Sequence, residues 1–411
     1  MQGGLNALPV FMPCEGRKMN YCEDRYAHYV LYESIVRKNV IDIINAFKRR
    51  YSNFALSYSI KTNYVKRVQE IVKEEGGLAE VVSPFEYDYA RLTFESNQII
   101  YNGPIPSKKK YFAARNGSIV NVDNIDELKA IIQEAKNDRF TEPIGIGLRV
   151  TFNVGNKIVS RFGFSVDDGD TRDFDRAINI IRESKVCYLA GFHCHIGAGR
   201  PVKYWTTKAR KMSELAHKYY DDGVRYIDLG GGMFGHMIEP LRNQFDDYEG
   251  DFDEYAKTVS EEIKKYFPQE QVKLIIEPGT AIVGDAMELE AHVTSIKKHN
   301  EQWYITLDCA GTDLGFVCEV KDLPISILRT GAEESVSVEH GIMVGNTCLE
   351  FDRIKKNYCG EIGVGDTVIF PNVGAYSINN ARQFITPRLG VYDVRGNEIQ
   401  RSETPRDMFI F

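Results

Sequence analysis

The sequence predicts an α/β fold: a (β/α)8 TIM-type barrel followed by an antiparallel β-domain. Three observations carry this reading. Short apolar runs of strand type alternate with longer amphipathic stretches from about residue 29 to about residue 280. Eight such strand–helix units over roughly 250 residues match the size of a barrel. Beyond them the pattern changes to strands separated by turn residues, with little helix. A doubly wound open sheet is the runner-up for the first part.

The strand candidates are FALSYSI (54–60), LAEVV (78–82), QIIYN (98–102), SIVNV (118–122), IGIGLRV (144–150), LAGFHCHI (189–196), RYIDLG (225–230) and KLIIEPG (273–279). Helices fall between them. In NIDELKAIIQEAKN (124–137), Ile125, Leu128, Ile131 and Ile132 recur at helical spacing behind Asn124, a residue suited to an N-cap. DFDEYAKTVSEEIKKYF (251–267) is similar. The barrel is therefore assigned to residues 28–281. The first 27 residues do not fit its rhythm and are grouped with 282–411 as the β-domain.

Composition bounds the function. At 411 residues the chain exceeds one ordinary domain. Its 43% hydrophobic and 27% charged residues are those of a globular protein. A net charge of −7 with only short basic clusters, FKRR (47–50) and SKKK (107–110), argues against a nucleic-acid partner. No run of 18 apolar residues and no signal pattern at the start give an expectation of no membrane contact. Eight cysteines without a CxxC pair remove the usual zinc signatures and suit a reducing cytoplasm.

In a barrel the active site lies at the C-terminal ends of the strands. Those ends carry Lys61, Glu80, Asn102, Arg149, His195, Gly230–Gly232 and Glu277. Taken alone, Lys61 reads as a solvated strand-end residue or as an amine held to react with an aldehyde. The glycines of DLGGGMFG (228–235) serve a tight turn or let backbone N–H groups approach a phosphate. His193 and His195 share a strand face and suit metal ligation, contact with a flat ring, or simple burial. Glu277 ends a buried strand and needs a partner for its charge, such as a protonated ring nitrogen. Lysine, glycines, histidine and carboxylate together point to pyridoxal 5′-phosphate, with its aldehyde, phosphate and pyridine nitrogen.

At this point the sequence resembles the barrel-type (fold type III) PLP-dependent decarboxylases, the family of ornithine and diaminopimelate decarboxylases. YSIKTN (58–63) is similar to the family's lysine motif and GFHCHIG (191–197) to its histidine motif. DLGGG (228–232) and EPG (277–279) are similar to its phosphate and pyridine motifs, GNTCLEFDRI (345–354) to its late cysteine motif, and NVGAYS (372–377) to its tyrosine motif. The resemblance implies an aldimine at Lys61, ring stacking by His195, and Glu277 on the pyridine nitrogen. It implies phosphate contacts from Gly230, Gly231, Gly232 and Tyr376. Cys348 would come from the partner subunit of a head-to-tail homodimer with shared active sites and return a proton after CO2 leaves. Glu80, Glu86 and Arg149 would support the lysine side.

The resemblance also has departures. Thr280 stands where the family has Arg, and Ala198 where it has Ser, so two phosphate contacts change; Arg200 is the candidate replacement. Phe316 stands where the diaminopimelate branch has an Arg for the substrate carboxylate. Leu349 stands where the ornithine branch has Asp. Glu319, Asp322, Glu350 and Asp352 are the acidic candidates for substrate binding. The expectation is PLP-dependent decarboxylation of an amino acid or amino-acid-like intermediate other than diaminopimelate. A non-catalytic relative that binds a protein partner, or an amino-acid racemase, are the alternatives.

Overall fold

The structure is a computed structural model. It describes residues 27–105, 107–138, 142–155, 160–167, 169–197, 200–248, 250–329 and 334–409. Eight parallel strands form a closed barrel: β1 (Phe54–Ser59), β2 (Leu78–Val81), β3 (Ile99–Tyr101), β4 (Ile119–Val122), β5 (Ile144–Thr151), β6 (Cys187–His193), β7 (Tyr226–Asp228) and β8 (Lys273–Ile276). Each pairs with the next in the chain, and β8 pairs back onto β1. All eight fall on the apolar runs read from the sequence. Their burial on both faces explains why those runs are nearly continuous.

Side chains alternate across each strand, so one face lines the barrel interior. Ile100, Tyr226 and Ile275 form a small core there, with Ala55, Leu78, Ile119 and Ala190 packed against it. Two glycines make room for the Tyr226 ring. A Cβ on Gly147 would lie 1.9 Å from the Tyr226 hydroxyl, and one on Gly191 would lie 2.6 Å from its ring. Outside the barrel, the helices bury their apolar stripes against the strands. Asn124 caps Ile125–Asn137 by accepting from the Glu127 N–H at 2.9 Å, and Asp251 caps Phe252–Lys264 in the same way.

The second body is a nine-stranded sheet, mostly antiparallel. Two of its pairings are parallel, Gln302–Leu307 with Val336–Val344 and His28–Leu31 with Val391–Asp393. The second of these corrects a boundary. His28–Leu31, assigned to the barrel, pairs with Met287–His299 and Val391–Asp393 instead. Eight strands already close the barrel, so this buried apolar run finds its partners in the other sheet. Residues 1–26 lie outside the described residues. Among the described residues, no helix is long and apolar enough to cross a membrane.

Candidate active site

The same alternation that fills the barrel interior with apolar side chains places polar ones at its C-terminal mouth. Ser59 lies beyond Ala55 and Ser57 on β1, Glu80 beyond Leu78, Asn102 beyond Ile100, and Glu277 beyond Ile275. Lys61 sits in a 3-10 turn, Ile60–Thr62, directly after β1. Its Nζ donates to Glu80 Oε2 at 2.5 Å and to Ser59 Oγ at 2.6 Å. The Ser59 hydroxyl itself donates to Glu80. Shielding from water disfavours the Lys61 charge, but the attraction of Glu80, then Glu277 and Tyr376, outweighs it and raises the pKa. Lys61 is therefore a paired ammonium in this structure.

The C-terminal segment holds this turn in place. Asn379 Nδ2 donates to the Lys61 carbonyl at 2.9 Å, and the Tyr376 N–H donates to the Thr62 carbonyl at 2.8 Å. Asn63 Nδ2 reaches back to the Gly374 carbonyl at 2.8 Å. Tyr376 has a positive φ of 60°, a conformation these contacts fix.

Glu277 is buried and fully engaged. Asn102 Nδ2 donates to its Oε1 at 2.6 Å, and His193 Nε2 lies 3.2 Å from its Oε2. Behind Asn102 a relay crosses the barrel. The Tyr226 hydroxyl donates to Asn121 Oδ1 at 2.7 Å, and Asn121 Nδ2 donates to Asn102 Oδ1 at 2.8 Å. Asp228 completes the group, its ligand atom within 4.8 Å of those of His193 and Glu277. Burial, then the neighbouring Glu277 carboxylate, raises the Asp228 pKa well above its ordinary value. Burial acts in the same direction on Glu277, but His193 first, with Asp228 and Lys61, brings it down. Asp228 therefore keeps the proton and Glu277 keeps the charge.

His195 lies just past the end of β6 and lines a cleft of about 130 Å³ with Ser59, Gly231, Gly232, Glu277 and Tyr376. Burial, then the Lys61 charge, lowers its pKa well below the usual histidine value. Its Nδ1 accepts from the Gly231 N–H at 3.2 Å, as a neutral imidazole does. Gly230, at φ +63°, is required by close packing: a Cβ there would lie 2.4 Å from the Cys194 carbonyl oxygen. Its N–H donates to Asp228 Oδ1 at 2.9 Å. Two of the three glycine N–H groups are thus engaged inside the protein. Gly232 N–H has no acceptor among the described residues. Arg200 and Thr280 line the same cleft; Ala198 lies outside the described residues.

Arg149 is buried at the mouth, 3.5 Å from Asp123 and over the Phe162 ring. Glu86 stands one layer back. It accepts from the Tyr64 hydroxyl at 2.8 Å and the Val82 N–H at 2.7 Å. The acidic candidates of the second domain are placed otherwise. Asp352 Oδ1 accepts from the Gly311 N–H, and its Oδ2 from the Thr347 hydroxyl at 2.6 Å, so it organises its own loop. Asp322 is ion-paired with Lys355 at 2.7 Å. Glu319 is exposed and Glu350 lines surface clefts. Within one chain none of these four lines the cleft of His195 and Glu277; a sequence shows their charge but not their partners. Cys348 is exposed and lies with Leu349 and Glu350 on a cleft bordered by Lys297 and His299.

The residues at the mouth fit pyridoxal 5′-phosphate. A buried carboxylate held in its charged form, a neutral imidazole and a glycine turn with one N–H unengaged among the described residues line one cleft, and the Lys61 amine lies at the same mouth, paired with Glu80. Sequence reasoning missed Ser59, Asn121, Tyr226, Asp228 and Lys208. Strand parity signals Ser59, and Asp228 opens the glycine motif itself. Lys208 has no such signal: it sits mid-helix, yet it is fully buried beneath the turn.

Residues 37–284 match the model of the pyridoxal-dependent decarboxylases, pyridoxal binding domain. The chain is 27% identical over 383 residues to a diaminopimelate decarboxylase of Methanothermobacter thermautotrophicus, covering 87% of this chain and 83% of that protein. It is 24% identical over 348 residues to the 2-[(L-alanin-3-ylcarbamoyl)methyl]-2-hydroxybutanedioate decarboxylase of Staphylococcus aureus, covering 79% and 83%. A Helicobacter pylori diaminopimelate decarboxylase mutant solved with L-lysine has the same fold. Its TM-score is 0.80 at 20% identity, over 93% of this chain and 96% of that one.

Proposed function

The chain belongs to the pyridoxal-dependent decarboxylase family, and from that premise we propose that it decarboxylates an amino acid, or an amino-acid-like biosynthetic intermediate, other than diaminopimelate. The convergence of Lys61, Glu80, His195 and Glu277 on one mouth carries this reading. When bound, the cofactor supplies an electron sink for the pair released as the carboxylate leaves as CO2.

The chain's own residues do the rest. Lys61 would hold the cofactor aldehyde, with Glu80 and Ser59 aligning its side chain. Glu277, kept charged by His193 and by the proton on Asp228, would set a fixed negative charge for the pyridine nitrogen. His195, neutral and locked through Nδ1, would contact the ring. Gly232 N–H, Arg200 and Tyr376 would hold the phosphate, while Gly230 and Gly231 shape the turn. Arg149 stays at the mouth as a fixed positive charge. Cys348 returns a proton across a head-to-tail homodimer, since within one chain it lies on another cleft.

Substrate choice turns on Phe316 and Leu349, which stand where the two main branches carry their charged grips. Among the described residues, six cysteines are unpaired, which supports a reducing cytoplasm. The test is CO2 release from a panel of basic, acidic and citrate- or peptide-conjugated amino acids. Turnover of diaminopimelate above all others overturns the substrate reading. A Lys61→Ala protein with an unchanged cofactor spectrum overturns the mechanism.

A further inference from the structure

We propose that Lys208 is a positioning residue for the cofactor phosphate, holding the glycine turn from beneath so that the Gly232 N–H is aimed into the cleft. The inference rests on reading this cleft as the phosphate site. Lys208 lies in the helix Val202–Lys218, which follows β6. Its side chain is fully buried, and its Nζ donates to the Gly231 carbonyl at 3.2 Å.

The geometry follows from peptide planarity. The Gly231 carbonyl and the Gly232 N–H belong to one peptide unit, and in a trans peptide they point in opposite directions. A donor fixed on that carbonyl from the helix side therefore turns the N–H away from the helix, toward the cleft that Gly232 lines. This is the one N–H of the three glycines left without an acceptor among the described residues. A cation on the carbonyl also polarises the amide and strengthens its N–H as a donor.

Charge points the same way. Among the described residues lining the cleft, Arg200 supplies a positive charge and Glu277 a negative one. A phosphate needs more positive charge than that pair provides. Burying an ammonium is costly unless something compensates it. Here the compensation is modest: the Trp205 ring, whose centroid is 3.6 Å away, the Gly231 carbonyl, and the more distant charge of Glu277. Burial brings the Lys208 pKa down to about 8, so the group stays charged at neutral pH. The same layer reaches Arg200. Trp205 packs edge-on against Tyr255 at 5.3 Å, and the Tyr255 hydroxyl donates to the Arg200 carbonyl at 2.5 Å.

The test compares pyridoxal 5′-phosphate with pyridoxal, which lacks the phosphate. Both are titrated into the full-length protein after removal of cofactor. Fluorescence of Trp205, one of two tryptophans, serves as reporter in the wild type, in Lys208→Met and in Lys208→Gln. Loss of an interaction with a charged group corresponds to about a tenfold or larger weakening. That loss is expected in Lys208→Met for the phosphorylated ligand, with pyridoxal binding within about twofold of wild type. Lys208→Gln, which keeps a donor without the charge, is expected to fall between. Equal shifts for both ligands, or none, overturn the proposal. Circular dichroism checks the fold. If Lys208→Met is unfolded the Gln variant carries the test, and unfolding of both marks Lys208 as structural and overturns the proposal. A wild-type protein that binds neither ligand refutes the underlying reading of the site instead, and the inference falls with it.

Discussion

Glu277 and Asp228 are chemically alike, adjacent and buried, yet they hold opposite protonation states. The difference comes from partners: Glu277 faces His193 and Lys61, whereas Asp228 faces the charge of Glu277. Asp228→Asn keeps the neutral, hydrogen-bonding form, so it is expected to fold normally and retain cofactor. Glu277→Gln removes the charge and is expected to weaken cofactor binding and abolish turnover, as absorbance titration and CO2 release will show. His195 gives a pH prediction with a definite sign. Its folded pKa is depressed, so the unfolded chain binds the extra proton first as pH falls. Stability from this group is present above the ordinary histidine value of about 6.5 and declines as pH drops below it. Thermal melts of wild type and His195→Gln across this range measure the difference; a slope equally steep in the variant refutes it. Lys61 behaves oppositely. Its raised pKa keeps the Glu80 pair intact throughout the neutral range and surrenders it only in strong alkali.

The barrel strands were legible because each is an apolar run, and their mouth residues because parity carries Glu80, Asn102 and Glu277 inward. What partners those residues meet was not legible. Tyr226 and Asn121 read as ordinary strand residues, since their hydrogen bonds join positions 105 residues apart. Nothing in the local sequence marks Lys208 as buried, since its burial depends on how its helix packs. His28–Leu31 was misplaced because local pattern identifies a strand but not the sheet that receives it. At this scale Gly147 makes a sharp prediction. Gly147→Ala would set a methyl 1.9 Å from the Tyr226 hydroxyl and 2.1 Å from Asn121 Oδ1. Overpacking of this kind costs about 1–3 kcal/mol. Urea unfolding is expected to show that loss, with weakened cofactor binding beside it as the relay to Asn102 shifts.

For the molecule as a whole, Cys348 is the informative residue. It sits on the second domain, exposed, on a cleft with Leu349 and Glu350. On the proposed shared-site homodimer, mixing Lys61→Ala with Cys348→Ala protein is expected to restore about a quarter of wild-type activity, because random two-fold dimers would re-form one intact site in half of the molecules. No recovery above the separate variants refutes the shared-site reading. The second domain touches Lys61 in another way as well. Residues 374–379 strap the turn that carries it, although more than 300 positions of chain separate the two. During synthesis, then, Lys61 emerges more than 300 residues before the segment that finishes its setting. A nascent or truncated product lacking the strap would carry Lys61 without its seat.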